Sequence, residues 1–175
     1  MTISPNPRAT KTPKVRIPPR LVFTDPWCFL GFGFGTGLSS WAPGTLGTLA
    51  AVPIFALMQP MNTPAYIMVL VFWFLIGIVI CQHCELRLGV SDHSGIVWDE
   101  IVGYLVTMTG MSLSWQDIAL GFALFRLFDI IKPWPIRLVD RHVHGGFGIM
   151  LDDLLAGLLA ALVLRWLAPM LVVSA

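Results

Sequence analysis

Apolar residues gather in five stretches of the chain, and short segments rich in proline, glycine and polar residues separate them. The stretches cover residues at about 46–59, 65–82, 95–112, 116–133 and 150–172. Because about 20 helical residues cross a bilayer core of about 30 Å, only the second and the last stretch are clear spans. The other three are short spans, re-entrant hairpins or helices buried among their neighbours. The pattern predicts an all-α, polytopic membrane bundle of about four to five apolar helices.

The composition indicates that lipid surrounds this fold. Of the 175 residues, 56% are hydrophobic and 12% are charged, whereas about 25% of residues in an average soluble protein are charged. We divide the chain into a basic, proline-rich and mobile tail, residues 1–24, and one membrane-embedded domain, residues 25–175. The three cysteines have the spacing of neither a disulfide framework nor a four-ligand zinc site, so free thiols are expected.

Basic residues are distributed unevenly among the predicted loops. If all five stretches cross the bilayer, residues 1–45, 83–95 and 133–150 lie on one side. Ten Lys and Arg residues fall in or near these loops: Arg8, Lys11, Lys14, Arg16, Arg20, Arg87, Arg126, Lys132, Arg137 and Arg141. The remaining one, Arg165, lies inside the last stretch. Because cytoplasmic loops carry the excess of basic residues, the pattern predicts a multi-pass protein with this set of loops in the cytoplasm.

Five acidic residues stand at the ends of apolar stretches, where negative charge is costly. They are Asp99, Glu100, Asp129, Asp152 and Asp153. Acids in a first helical turn can simply complement the helix dipole, but Asp129 stands near a helix C-terminus, where that explanation fails. On the five-span layout all five carboxylates reach the cytoplasmic side of one bundle. Such a group is typical of a Mg²⁺ site, because Mg²⁺ binds carboxylates together with substrate phosphate.

Two cations accompany one of these acids on the same helix. At about 100° per residue, Arg126 and Lys132 each lie within about 60° of Asp129. An intrahelical ion pair that hides charge in the membrane would explain this spacing. Alternatively, Asp129 binds a metal between two cations that bind phosphate, since Arg suits bidentate contact and Lys supplies a point charge.

Hydroxyl and imidazole groups beside glycines extend the set of candidate phosphate ligands. Thr45 and Thr48 accompany glycines at the start of the first apolar stretch, where a helix N-terminus favours an anion. His144 precedes the turn Gly145-Gly146, which leads into the last stretch. Close packing of helices explains the glycines equally well.

Ion or proton transport is the main alternative function, because intramembrane acids also mark permeation routes. A transporter would place its acids near the bilayer midplane, whereas these gather at one end beside cations and glycine turns. A non-catalytic lipid-binding or assembly subunit would explain the hydrophobicity but would leave five acids without a function.

Four segments of the sequence together resemble the phosphatidylglycerophosphatase A family. They are residues 43–48, 96–103, 125–137 and 144–153, in the family's order and with similar spacing. The resemblance covers about residues 25–170. It implies a Mg²⁺-dependent lipid phosphatase of the bacterial inner membrane that converts phosphatidylglycerophosphate to phosphatidylglycerol in phospholipid biosynthesis. The expected partners are this lipid and the bilayer, with no nucleic acid and no obligate protein partner.

The expected site combines this resemblance with the positions of the charged residues. The metal ligands are expected to be the five carboxylates: Asp99, Glu100, Asp129, Asp152 and Asp153. The phosphate ligands are expected to be two cations, two hydroxyls and an imidazole: Arg126, Lys132, Thr45, Thr48 and His144. Either Asp129 or Asp153 is expected to be catalytic as a general base. Water is the expected nucleophile, and a covalent aspartyl-phosphate remains an alternative.

Overall fold

The computed structural model describes residues 17–172, with side chains as far as Ala168. Of the predicted basic tail, residues 1–16 lie outside the described residues, and most of the remainder folds into a short helix. Residues 17–172 form helices and connecting loops without a strand, which confirms the predicted all-α class.

Eight α-helices follow one another in the part of the chain that the structure describes. They are α1 (Pro19–Thr24), α2 (Pro26–Gly31), α3 (Pro43–Met58), α4 (Thr63–Leu88), α5 (Trp98–Thr107), α6 (Trp115–Ile131), α7 (Ile136–His142) and α8 (Gly145–Val172). A 3₁₀ segment, Gly33–Leu38, lies between α2 and α3. Each of the five apolar stretches contains a helix, and α5 covers only the middle of the third stretch.

Contacts and turns at both ends limit the length of α5. The N–H of Val97 donates a hydrogen bond to the carbonyl oxygen of Gly31, 2.8 Å away, so the chain before Trp98 is held against α2. After Thr107 the chain turns at Gly110, whose φ of 73° lies in the left-handed region that favours glycine. The apolar residues on either side of α5 are therefore parts of connecting segments.

Two helices are long and apolar enough, by length and composition, to cross a membrane. They are α4 over Thr63–Leu88 and the part of α8 over Gly145–Ala168, which correspond to the two clear spans predicted from the sequence. Large apolar side chains along α4, among them Met68 and Phe72, are exposed, as expected for contact with lipid. Spanning by the other apolar helices remains a prediction.

Helix α5 lies at the centre of the bundle. It packs against α3, α4, α6 and α8, and the side chains of Ile101, Tyr104 and Leu105 are fully buried. The phenolic hydroxyl of Tyr66 in α4 donates a hydrogen bond of 2.7 Å to the carbonyl oxygen of Leu105. This packing carries the acidic first turn of α5 into the interior at one end of the bundle.

Two glycines allow α5 and α8 to approach each other closely. A Cβ atom added to Gly157 would overlap the carbonyl group of Gly103. The hydroxyl of Thr107 donates to the carbonyl oxygens of Gly103 and Gly157, at 3.0 and 3.3 Å. The two glycines lie four residues beyond Asp99 and Asp153, on the same helix faces. The glycine contact therefore sets the separation of these two carboxylates.

Replacing Gly157 with Val is expected to force α8 away from α5. Overpacking of this kind costs about 1–3 kcal/mol, so the thermal unfolding temperature in detergent should fall. Circular dichroism at increasing temperature measures this change. Leu158→Val is the control, because Leu158 is exposed on the same helix and does not face Gly103. Equal unfolding temperatures for Gly157→Val and the wild type would contradict the close approach.

Candidate active site

Three carboxylates from two helices meet at one end of the bundle. Asp99 and Glu100 lie in the first turn of α5, and Asp153 lies in the first turns of α8. One carboxylate oxygen of each residue lies within 4.8 Å of those of the other two. The side chain of Asp153 is only 3% exposed. We call these three residues the carboxylate triad.

The carboxylate triad contains oxygens that lack hydrogen-bond partners. Asp99 Oδ1, Glu100 Oε2 and Asp153 Oδ2 are buried, and no donor among residues 17–172 reaches them. A buried charged oxygen without a partner is costly, whereas a bound cation compensates the charges of all three carboxylates at once. The triad thus offers oxygen ligands whose charges are not compensated, as expected for a site that binds a hard divalent cation.

Arg126 joins the triad to a fourth carboxylate. Its Nη1 atom lies 2.5 Å from Asp129 Oδ2 and 3.7 Å from Glu100 Oε1. The Nε atom of Arg126 is buried without an acceptor in the described part of the chain. Arg126 and Asp129 are therefore close together, as predicted. Arg126 lies between Asp129 and Glu100, and its Nε–H has no acceptor among the described residues.

Lys132 makes the second pairing of a cation with acids. It follows the last residue of α6 with a φ of 46°, and its ammonium group donates to Asp140 Oδ1 at 2.5 Å and to Asp152 Oδ2. Burial alone would lower the pKa of Lys132, but the two carboxylates outweigh burial and raise that pKa. Asp152 accordingly pairs with Lys132 instead of joining the triad.

The start of α3 lies directly against this charged group. A Cβ atom on Gly44 would overlap Glu100 Oε1 and would lie 2.9 Å from Arg126 Nη1. Thr48 is buried, and its hydroxyl donates to the Gly44 carbonyl oxygen at 2.9 Å. Glycine at position 44 is therefore needed for α3 to reach Arg126. The hydroxyl of Thr48 bonds within its own helix in the structure.

A cavity of about 150 Å³ opens beside the triad. Seven of the ten predicted site residues line it: Asp99, Glu100, Asp129, Lys132, His144, Asp152 and Asp153. The other three, Arg126, Thr45 and Thr48, lie outside its lining. The structure thus brings most of the predicted residues together around one cavity.

A second group of polar residues that line this cavity was not predicted from the sequence. Glu85, Ser91, Asp92, Ser94 and Asp140 line it as well. Glu85 is buried, and its Oε1 atom accepts from the Ser91 hydroxyl at 2.9 Å and from the Asp92 N–H at 2.7 Å. Burial raises the pKa of Asp92, although the Lys132 charge opposes the rise. Glu85 could have been predicted to line the cavity, because it is an acid in the last turn of an apolar helix, as Asp129 is.

The cavity lining carries many more acids than cations. Eight Asp and Glu side chains face it, and Lys132 is its single Lys or Arg within the described residues. A phosphate group would be repelled by such a surface unless a metal ion or protons offset the charge. The acidic lining and the unpaired oxygens of the triad lead independently to the same requirement for a cation.

Comparison with known proteins associates this fold and cavity with a family of lipid phosphatases. A family model described as Phosphatidylglycerophosphatase A matches residues 29–168. The chain is 44% identical over 149 residues to Phosphatidylglycerophosphatase A of Escherichia coli strain K12, covering 85% of this chain and 87% of that protein. It is 42% identical over 146 residues to the protein of the same name from Haemophilus influenzae, covering 82% and 90%.

A further similar protein carries a different name. The chain is 36% identical over 154 residues to a protein of Bacteroides thetaiotaomicron provisionally named as a phosphatidylinositol-3-phosphatase, covering 78% of this chain and 92% of that protein. No solved structure matches the chain. All three named relatives are phosphatases of phosphorylated lipids by their names.

Proposed function

Because the chain belongs to the phosphatidylglycerophosphatase A family, we propose that it removes the terminal phosphate of phosphatidylglycerophosphate. Hydrolysis of this phosphomonoester consumes one water and yields phosphatidylglycerol and inorganic phosphate. The observation that supports this function best is the carboxylate triad, which has three unpaired oxygens and whose Glu100 Oε1 lies 3.7 Å from Arg126 Nη1. A bound cation and a guanidinium group together can neutralise the negative charge that develops on a phosphate group during its hydrolysis.

The triad fits Mg²⁺, which we assign as the cofactor. Asp99, Glu100 and Asp153 would hold the ion, because they offer hard oxygen atoms that no other described group satisfies. When bound, Mg²⁺ supplies Lewis acidity toward a phosphoryl oxygen and lowers the pKa of a bound water. The other two predicted ligands, Asp129 and Asp152, have different roles in this proposal, since each is paired with a cation.

Arg126 and Lys132 would bind the phosphate group. Asp129 and Glu100 hold the guanidinium group of Arg126 in place. Its Nε–H has no acceptor among the described residues, so it can donate to a phosphate oxygen. Asp140 and Asp152 hold the ammonium group of Lys132 at the cavity wall. Cations held in this way need not reorganise as negative charge develops on the phosphate in the transition state.

Asp129 is our candidate for the general base. It lines the cavity beside the triad, and the contact with Arg126 Nη1 fixes the position of its carboxylate. Asp153 would then be a metal ligand, as the grouping with Asp99 and Glu100 suggests. The alternative roles predict different responses to the Mg²⁺ concentration, so a kinetic measurement separates them.

Exposed apolar residues beside Lys132 offer a place for the acyl chains of the lipid. Ile130 and Ile131 directly precede Lys132 and are exposed, and Trp134 follows it with 82% of its surface exposed. Tryptophan side chains favour the interface between membrane and water. We propose that the lipid enters from the bilayer past this apolar edge, with the cavity at the cytoplasmic face of the bacterial inner membrane.

The direct test is phosphate release from phosphatidylglycerophosphate in detergent micelles, with and without Mg²⁺. Purified full-length protein should release phosphate only when Mg²⁺ is present. Phosphatidylinositol 3-phosphate serves as the comparison substrate and should be hydrolysed more slowly. Folded wild-type protein that releases no phosphate from either lipid would contradict the proposed function and would favour transport.

A further inference from the structure

A second group of possible metal ligands lies where α2 meets the last turns of α4, apart from the residues that line the active-site cavity. Asp25 precedes α2, Cys28 lies within α2, and His83 lies on α4. One ligand atom of each of these residues lies within 4.8 Å of those of the other two. The group combines a carboxylate, a thiol and an imidazole, which is a different set of donors from the all-carboxylate triad.

We propose that Asp25, Cys28 and His83 form a site for Zn²⁺ or a similar thiophilic divalent cation. Thiol and imidazole ligands favour such ions over Mg²⁺, which prefers oxygen. Around a tetrahedral zinc ion with bonds of roughly 2.0–2.3 Å, neighbouring ligand atoms are roughly 3.3–3.8 Å apart. Asp25 Oδ2 and His83 Nε2 are now 2.9 Å apart, so small side-chain rotations would suffice for binding.

The backbone around the group holds two of the three ligands in place. Asp25 Oδ1 accepts hydrogen bonds from the N–H groups of Trp27 and Cys28, at 3.0 and 3.3 Å, so its other oxygen, Oδ2, faces α4. Hydrogen bonds from His83 and from these N–H groups outweigh partial burial and lower the pKa of Asp25. The orientation of Oδ2 toward α4 makes it available to an ion bound between the two helices.

Close packing of α2 on α4 brings a second thiol to the edge of the group. A Cβ atom on Gly31 would lie 2.5 Å from Cys84 Sγ, so glycine at this position allows the helices to approach. Cys84 Sγ contacts the carbonyl oxygen of Trp27 at 3.8 Å. Cys28, Cys81 and Cys84 are all free, as predicted from the sequence, and all three are buried. Water would complete the coordination.

An ion pair without metal is the competing explanation for the same residues. Arg87 Nε lies 3.3 Å from Asp25 Oδ2, and this cation would have to move when a metal ion binds. The side chain of Arg87 is 59% exposed and sits at the end of α4, so it can turn into solvent. The ion pair accounts for Asp25 and His83 and leaves Cys28 as a thiol of the apolar core, although its Sγ lies within 4.8 Å of a ligand atom of each.

Cobalt(II) binding to the metal-free full chain in detergent distinguishes the two explanations. Thiolate-bound Co²⁺ has a sulfur-to-metal charge-transfer absorption, and we expect it to saturate at about one ion per chain. Cys28→Ser should abolish this absorption, and His83→Gln should weaken Co²⁺ binding at least about tenfold. Cys81→Ser is the matched control, since Cys81 is equally buried but lies outside the group, and it should bind Co²⁺ as the wild type does.

The proposal fails if folded wild-type protein shows no charge-transfer absorption, or if the absorption survives in Cys28→Ser. Circular dichroism of each variant confirms that the helices remain intact. The result is independent of the proposed phosphatase activity, because the measurement uses neither lipid nor Mg²⁺. Titration with Zn²⁺ should displace Co²⁺ and remove the absorption, whereas millimolar Mg²⁺ should leave it unchanged.

Discussion

Replacing Asp153 with Asn is expected to lower phosphate release from phosphatidylglycerophosphate by roughly 10²–10⁴-fold, because a bound metal ion supplies several kcal/mol of transition-state stabilisation. Asn keeps the size of the side chain, so the packing of α8 on α5 should persist. The substitution removes one negative charge from the carboxylate triad, whose other members are Asp99 and Glu100. Binding of Mg²⁺ should weaken as a result, because the ion depends on a few carboxylates.

The dependence of the rate on the Mg²⁺ concentration separates a metal ligand from a general base. If Asp153 is a ligand, the Asp153→Asn variant should need more Mg²⁺ for half-maximal rate, and excess Mg²⁺ should recover part of the activity. If Asp129 is the base, Asp129→Asn should lower kcat with an unchanged Mg²⁺ requirement. A shifted Mg²⁺ requirement for Asp129→Asn alone would reverse the two assignments.

Asp117→Asn is the matched control for these two variants. Asp117 is also a buried acid, 8% exposed, but it lies at the opposite end of α6 from Asp129. Its carboxylate accepts from the Ser112 hydroxyl and its N–H donates to Ser114 Oγ at 3.1 Å, so it has a local structural role. Asp117→Asn should reduce stability without changing the Mg²⁺ requirement. Undiminished phosphate release by Asp153→Asn would show that the triad is misassigned.

The sequence predicted the active-site end of the bundle because burying charge in an apolar helix is costly. Asp99, Asp129 and Asp153 could be singled out without coordinates, since each is an acid at the end of an apolar stretch. The structure brings these residues together on three helices that pack around one cavity. The third apolar stretch is only partly helical, because the hydrogen bond from the Val97 N–H to the Gly31 carbonyl oxygen holds its first residues outside α5, and hydropathy does not predict such a contact.

Some of the acids pair with a cation and others do not. These pairings depend on contacts between residues that no local sequence pattern shows. Lys132 was grouped with Asp129, three residues away, yet its ammonium group contacts Asp140 and Asp152. Its left-handed backbone conformation at the end of α6 turns the side chain away from the helix face assumed for it. Spacing along an ideal helix applies to Arg126, which lies inside α6, and fails for Lys132, which lies just beyond its end.

Replacing Arg126 with Lys is expected to lower kcat/KM for phosphatidylglycerophosphate by roughly 10²–10³-fold, comparable to the loss of one donor to a developing negative charge. An ammonium group keeps the charge but cannot contact Asp129, Glu100 and a phosphate oxygen with separate donors in one plane. The competitive inhibition constant of inorganic phosphate should rise in parallel. Arg165→Lys is the control, since Arg165 contacts backbone oxygens of Thr109 and Ala161 at the other end of the bundle.

A double variant decides whether the pair of Arg126 and Asp129 serves function or only hides charge in the membrane. Arg126→Met combined with Asp129→Leu removes both charges of the 2.5 Å pair and replaces them with apolar groups of similar volume. Such replacements are often neutral for stability, so the unfolding temperature should change little. If the pair only hides charge, the double variant should be stable and active. Our assignment predicts a stable protein without phosphatase activity, since the phosphate-binding donor and the candidate base are both lost.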